Sequence, residues 1–359
     1  MIECGLQNVD YPELARQIKA WALEAGFAGA RISRASLPDE ARAALEAWLA
    51  DGCHGQMDYM ARHGTLRLDP AGLVPGALSV VSLRMDYWPD ARDAHAVLDD
   101  GEAAYVSRYA LGRDYHKVLR KRLQALASRI EGEVGAYGYR VFTDSAPLAE
   151  VSFAAQAGLG WRGKHTLLLN RDAGSLFFLG EIVTDLPLPE DAAEDGHCGR
   201  CTRCIDACPT GAIVAPYRVD ARLCISYLTI ELDGAIPEPL RPLLGNRVYG
   251  CDDCQLSCPW NRFARLSGEG DFAVRHGLDA ASLAELFAWS EADFRERTAG
   301  SPIWRIGYQR WLRNLAVGLG NAPTTPAVLS ALASRREDAS ALVREHVAWA
   351  LARHAASAR

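Results

Sequence analysis

Cys198, Cys201, Cys204 and Cys208 stand at C-x2-C-x2-C-x3-C spacing and are followed by Pro209. Thiolates so spaced wrap an iron–sulfur cube, because three sulfurs on one tight loop reach three irons while the fourth points toward a second cluster. Cys251, Cys254 and Cys258, again followed by proline, keep the x2 and x3 spacing, and the missing first cysteine stands upstream as Cys224. Eight cysteines therefore predict two 4Fe-4S clusters. The crossed pattern of two-cluster ferredoxins gives one cluster Cys198, Cys201, Cys204 and Cys258, and the other Cys224, Cys251, Cys254 and Cys208. Zinc ribbons use two C-x2-C pairs and have no use for a three-cysteine run ending in C-P. A disulfide framework is not needed by a chain of 359 residues, which buries a sizeable core without covalent staples. Cys4 and Cys53 fall outside the pattern and read as ordinary thiols.

Asp144 is the second chemical candidate. It follows a predicted strand, residues 139–142, and precedes Ser145 and Pro147 at the start of a predicted helix. As a helix N-cap it would accept backbone N–H groups. As a functional acid at a strand's end it would face a crevice and give up a proton, provided burial raised its pKa toward neutrality. Gly158, Gly160 and Gly163-Lys164 satisfy two nucleotide-binding patterns, yet a helix is predicted before them and a strand after, the reverse of what those motifs need. They read instead as a tight loop bringing backbone close to a bulky ligand. Asp114-x-His116 starts a D-x-H-x-x-G cobalamin signature, but Leu119 replaces the glycine, so a histidine ligand to cobalt is not supported.

To position these groups the first 185 residues alternate helices and strands. Helices are predicted over residues 11–25, 38–50 and 147–157, and strands over 28–33, 78–85, 139–142, 166–170 and 176–183. That pattern gives an α/β or α+β layered domain over residues 1–185. The cluster segment follows over 186–265, entered through a Leu-Pro-Leu-Pro linker. Residues 266–359 read as helical, and the segment at 314–320 resembles the one at 346–352, thirty-two positions later, as in a short helical repeat.

Composition is that of a soluble chain, 49% hydrophobic and 23% charged. Residues 1–10 have neither a basic start nor an apolar core, no stretch reaches the ~20 apolar residues of a membrane span, and no twin-arginine signal is present. A cytoplasmic location is expected, which suits reduced thiols. Net charge is −6, so a nucleic-acid partner would need local basic patches. Two exist. Residues 108–129 carry seven Lys/Arg against Asp114, and 295–313 carry five Arg against Glu296. In the first, Leu119, Leu123, Leu126 and Ile130 form an apolar stripe that leaves Lys117, Arg120 and Lys121 on the solvated face. A plain surface helix and a ligand-binding one both fit.

The chain resembles the epoxyqueuosine reductase family along nearly its whole length. The resemblance is carried by Gly55-Gln56-Met57-Asp58-Tyr59-Met60, the run from Tyr105 to His116, Asp144-Ser145-Ala146-Pro147, Gly158-Leu159-Gly160-Trp161, Gly163-Lys164-His165, both cysteine groups and Tyr249-Gly250-Cys251-Asp252-Asp253-Cys254-Gln255. It implies a cobalamin-binding α/β domain related to the reductive dehalogenases, a two-cluster ferredoxin-like domain and a C-terminal HEAT-like helical repeat. Cobalamin would be bound base-off between the first two domains. The implied reaction removes the epoxide oxygen of epoxyqueuosine at the wobble position of a tRNA anticodon, consuming two electrons and two protons to give an alkene and water. Cobalamin would be charged through the two clusters by an external low-potential electron donor, in a protein acting as a monomer. Asp144 matches the family's proton donor; Arg67, Ser107, Lys164, His165, Ser226 and Gln255 match regions lining the cobalamin or substrate. A two-cluster electron carrier without catalysis leaves about 180 residues unexplained, and a reductive dehalogenase typically carries an export signal and needs no basic patches.

Overall fold

The computed structural model describes residues 9–357; Cys4 and most of the N-terminal stretch lie outside them. The chain opens with α1 (Tyr11–Glu24), capped by Asp10, then β1 (Gly29–Arg34), α2 (Asp39–Ala50) and the short α3 (Asp58–His63). Next come β2 (Ser79–Asp86), α4 (Ala94–Asp99), β3 (Tyr105–Val106), α5 (Tyr115–Val134), β4 (Tyr139–Phe142) and α6 (Glu150–Gln156). A small hairpin of β5 (Trp161–Arg162) and β6 (Leu168–Leu169) leads to β7 (Phe177–Thr184).

The main sheet has the order β1-β2-β7-β4 and every pairing is antiparallel. The domain is therefore α+β in architecture. Alternation along the two central strands gives each sheet face its own cover. Val81, Leu83, Met85, Phe178 and Ile182 meet Leu14, Ile18 and Trp21 of α1 and Leu119, Leu123, Leu126 and Ile130 of α5. Val80, Phe142 and Val183 point the other way, into a core with Leu148 and Phe153 under α6. The leucine stripe of α5 is buried as expected, and Lys117, Arg120 and Lys121 are exposed.

Helix α6 starts later than its sequence pattern suggests. Residues 143–149 form an irregular turn in which Ser145 N–H donates to Thr143 O, Leu148 N–H to Ala146 O, and Ala149 N–H to Arg67 O. The glycine-rich loop also differs from expectation. A Cβ on Gly158 would come within 2.0 Å of Ala192 O, and one on Gly160 within 2.0 Å of Leu169 O. These glycines let the chain close on its own backbone.

The cluster segment contains α7 (Arg203–Asp206), α8 (Ile225–Ile230), β8 (Arg247–Tyr249) and α9 (Asp253–Leu256). Strand β8 pairs in parallel with β3. The buried carboxylate of Asp252 locks that junction by accepting from Tyr105 Oη at 2.7 Å, Ser107 Oγ at 2.6 Å and Arg108 N–H at 2.8 Å. The small core around Ile225, Leu228, Ile236 and Leu244 includes Val317 and is flanked by Trp48, Met57 and Trp349, so it is shared with both ends of the chain.

The remainder is helical: α10 (Leu283–Phe287), α11 (Glu291–Thr298), α12 (Gly307–Asn321), α13 (Pro326–Ser334) and α14 (Ala341–Ser357). Reciprocal capping boxes, Ser282 with Glu285 and Ser290 with Asp293, start the first two. The two similar segments fall on α12 and α14, which pack together; a Cβ on Gly320 would meet Trp349 at 2.5 Å and Ala350 at 2.9 Å. Among the described residues no helix is long and apolar enough to cross a membrane.

Candidate active site

Asp144 lies in the turn between β4 and α6 with φ +53°, a left-handed conformation uncommon for a residue other than glycine. It is no helix cap: the residue preceding α6 is Ala149, which makes no side-chain cap bond. Its carboxylate accepts from the Tyr115 hydroxyl and lies 3.6 Å from His116 Nε2. On its far side His116 Nδ1 is 2.7 Å from Asp114 Oδ1, which also receives Arg305 Nη2 at 3.0 Å. Tyr115 is held flat on Phe178, with ring centroids 4.0 Å apart and planes 6° apart. The turn itself is tied down by Asp144 N–H, which donates to Glu150 Oε1 at 2.5 Å.

The Asp144 side chain is 60% accessible, so its carboxylate is open to solvent. Protein crowding pushes its carboxyl up, but hydrogen bonds from His116 and Tyr115, then the charges of His116 and Arg305, outweigh that and hold it below the ordinary range. The expectation that burial raises it is therefore corrected for this arrangement. Burial alone would lower His116, yet its bonds to Asp114 and Asp144 raise it above the ordinary histidine value. Asp114, against its own burial, is held down to about 2 by its hydrogen bond with His116 and the charge of Arg305. The imidazole thus lies between two carboxylates, those of Asp114 and Asp144, with the Arg305 guanidinium also against its Nδ1. His116, Tyr115, Glu150 and Arg305 were not legible as partners of Asp144, since only folding brings α5 and the Arg305 segment to this turn.

Of the other predicted residues, Arg67 lines a cavity of ≈ 470 Å³ together with Trp48, Leu148, Glu150, Ser152, Arg162 and Tyr217. Its Nη2 donates to Tyr59 O at 3.1 Å, while its buried Nε has no partner among the described residues. Lys164 and His165 are placed elsewhere, beside the cysteines: Lys164 Nζ donates to Gly199 O at 2.7 Å and to Cys201 O at 2.9 Å. His165 is buried, and desolvation pushes it down to about 4, so its ring is neutral. Ser107 serves the Asp252 junction. Gln255 is buried, with Nε2 donating to Ser175 O at 2.9 Å, and Ser226 stands in the first turn of α8, two residues beyond Cys224.

Cys198, Cys201, Cys204 and Cys258 line one cavity of ≈ 90 Å³ with Lys164 and His165. Among the described residues no three His, Cys, Asp or Glu side chains converge as a single metal ion would require. Four thiols lining one cavity are the donor set that a 4Fe-4S cluster takes. Cys254 is pushed well up by burial and by its neighbours Cys224, Asp252 and Cys208. In the first thiol set Cys201 is exposed, Cys198 and Cys258 are partly exposed and Cys204 is buried, as is Cys53.

In the second basic patch Arg295, Arg297 and Arg305 are exposed, while Arg310 and Arg313 are taken up by the protein's own carbonyls. Arg313 is 0% exposed; its guanidinium donates to Leu228 O, Leu232 O and Gly234 O, each at 2.8 Å, and closes the C-terminal end of α8. Arg310 likewise donates to Ile306 O and Ile230 O. Neither is free to meet a phosphate. Lys117 and Lys121 remain in solvent, and Arg120 reaches Ser145 Oγ at 3.4 Å, next to Asp144.

Residues 67–145 match the family described as epoxyqueuosine reductase QueG, DUF1730, and residues 197–261 match a 4Fe-4S double cluster binding domain. The epoxyqueuosine reductase of Pseudomonas aeruginosa is 64% identical over 351 residues, covering 98% of this chain and 97% of that protein. This chain belongs to the epoxyqueuosine reductase family. It is an oxidoreductase acting on tRNA that carries epoxyqueuosine. The Escherichia coli enzyme is 55% identical, covering 96% of this chain and 91% of its own. An epoxyqueuosine reductase solved with an epoxyqueuosine-modified tRNA-Tyr stem loop superposes with a TM-score of 0.83 at 28% identity, over 95% of this chain and 90% of that one. The Bacillus subtilis enzyme, solved with its catalytic aspartate loop swung out of the active site, gives 0.84 at 27% identity with the same coverage.

Proposed function

We propose that this protein reduces epoxyqueuosine in the tRNA anticodon with cobalamin as the reacting cofactor and Asp144 as the group that protonates the departing oxygen. The observation that carries this is Asp144 itself: exposed to solvent, in a turn with positive φ, accepting from the Tyr115 hydroxyl and lying beside His116. No side chain reduces an epoxide, so a cofactor must supply the electrons. Beside the Asp144 turn, Glu150 and Arg67 line the cavity of ≈ 470 Å³, and Arg67 offers such a cofactor a buried N–H without a partner among the described residues. When bound and reduced, its cobalt supplies the electron pair.

The chain's own residues do the rest. Cys198, Cys201, Cys204 and Cys258 hold one cluster, and Cys224, Cys251, Cys254 and Cys208 the other. The first set is close to solvent, so electrons from an external low-potential donor enter there and pass inward. Lys164 braces the loop carrying Cys201. His116 holds the proton at rest, passes it to Asp144, and Asp144 delivers it to the oxygen as the C–O bond breaks; Tyr115 orients the carboxylate and Asp114 keeps the imidazole charged. Lys117, Arg120 and Lys121 extend from α5 beside the Asp144 turn to meet anticodon-loop phosphates. The α12 and α14 segments, read as two HEAT-like units, back the cluster segment.

Anaerobic reconstitution with iron, sulfide and cobalamin tests the cofactor assignment. The protein should retain a corrinoid through gel filtration, seen in its visible spectrum, and convert an epoxyqueuosine stem loop. Conversion by protein that carries both clusters and no corrinoid would overturn it.

A further inference from the structure

Beyond the Asp144 turn, Glu181 sits in the middle of the central strand β7. It is 0% exposed, and among the described residues neither of its carboxylate oxygens receives an N–H or O–H. Its register partners on β2 and β4 are Ser82 and Phe142, so its side chain lies on the face covered by α6. There it meets Glu150, the first residue of α6. An ionised carboxylate without a donor is not tolerated at such a site, and two adjacent carboxylates retain a proton between them. Burial and the nearness of Glu150 push Glu181 well above the carboxylate range. Burial, then the charge of Asp144, push Glu150 up to about 8. The other end of this pair is the Asp144 turn, because Glu150 Oε1 accepts the Asp144 N–H at 2.5 Å.

We propose that Glu150 and Glu181 form a proton-sharing clasp that positions the Asp144 turn for catalysis and releases it when the shared proton leaves. With the proton in place, Glu181 donates its O–H to Glu150, and Glu150 keeps an oxygen for the Asp144 N–H. Without it, three carboxylates repel one another in one small volume. Glu181 is fixed in the sheet and Glu150 on a helix, so the turn between β4 and α6 is the part that can move. The other charges facing the clasp are His116 from α5, Arg67 from the segment after α3, and more distantly Arg305. All three favour ionisation of Asp144 or Glu150, and none of them hydrogen-bonds Glu150 or Glu181. The motion is of the kind recorded in the Bacillus subtilis relative. The clasp rests on the reading of Asp144 as proton donor, but it has a readout of its own.

Two measurements test it on the reconstituted holoenzyme. Single-turnover rates on an epoxyqueuosine stem loop should fall at alkaline pH as the clasp loses its proton, and Glu150→Gln and Glu181→Gln, which keep a hydrogen bond without a titrating proton, should move that fall by more than one pH unit. Hydrogen–deuterium exchange over residues 143–149, normalised to intrinsic rates, should lose protection over the same pH interval in wild type and in Asp144→Asn, and not in the Gln variants. An alkaline limb unmoved in both Gln variants, or protection independent of pH, would overturn the clasp. Should Asp144→Asn turn over normally while the exchange behaves as stated, the proton-donor reading fails and the clasp stands.

Discussion

Replacing Arg313 by methionine would strand the carbonyls of Leu228, Leu232 and Gly234 in the core. Buried acceptors left without donors cost about 1–3 kcal/mol each, so Arg313→Met should lower the denaturation midpoint strongly while the folded fraction binds tRNA normally; a well-folded variant with weakened tRNA binding would return Arg313 to the basic patch. At this scale the sequence was uneven. The cysteines were legible because cluster ligation fixes local spacing, and Asp144 because a motif frames it. Arg313 was misread because charge alone does not say which face of α12 a residue occupies. Glu150 and Glu181 were invisible, since their pairing depends on β7 lying beneath α6 and neither sits in a chemical motif.

Helix α5 does two jobs that its periodicity separates. The leucine stripe packs on the sheet, and the opposite face keeps Lys117 and Lys121 in solvent close to the Asp144 turn. Reversing both charges should weaken stem-loop binding and flatten its salt dependence by the slope that lost phosphate contacts carry, with iron content unchanged; an unaltered slope would remove this helix from the interface. For the cysteine loops the shared cavity sets the expectation. Cys258→Ala should destroy the cluster held by Cys198, Cys201 and Cys204 and spare the other, as two-component Mössbauer spectra would show, whereas loss of the other cluster would break the crossed pairing. Helix and strand positions were largely readable from apolar period. The antiparallel order β1-β2-β7-β4 was not, because pairing partners lie up to about 100 residues apart and the sequence carries no local sign of them.

Across the whole molecule the three segments are interlocked. Asp252 joins β8 to the segment after β3, Arg305 reaches Asp114, and His346 of α14 accepts Ile236 N–H at 3.2 Å. His346 is 0% exposed, and burial pushes it down to about 4. Because the folded value lies below the ordinary 6.5, its contribution to stability is complete above pH 6.5 and is lost as pH falls toward 4. Urea midpoints should fall through that interval by more in wild type than in His346→Gln, a difference of roughly 1–2 kcal/mol at the lower end; parallel pH profiles would contradict it.

The central claim is that a proton held by His116 reaches the epoxide oxygen through Asp144, and Asp144→Asn tests it most directly. Asparagine preserves the shape and still accepts from Tyr115, yet it carries no titratable proton. With holoenzyme reduced chemically and an epoxyqueuosine stem loop in excess, conversion to queuosine should fall by ~10²–10⁴-fold while iron content, corrinoid content and stem-loop affinity match wild type. Conversion within a few-fold of wild type by that well-loaded variant would contradict it.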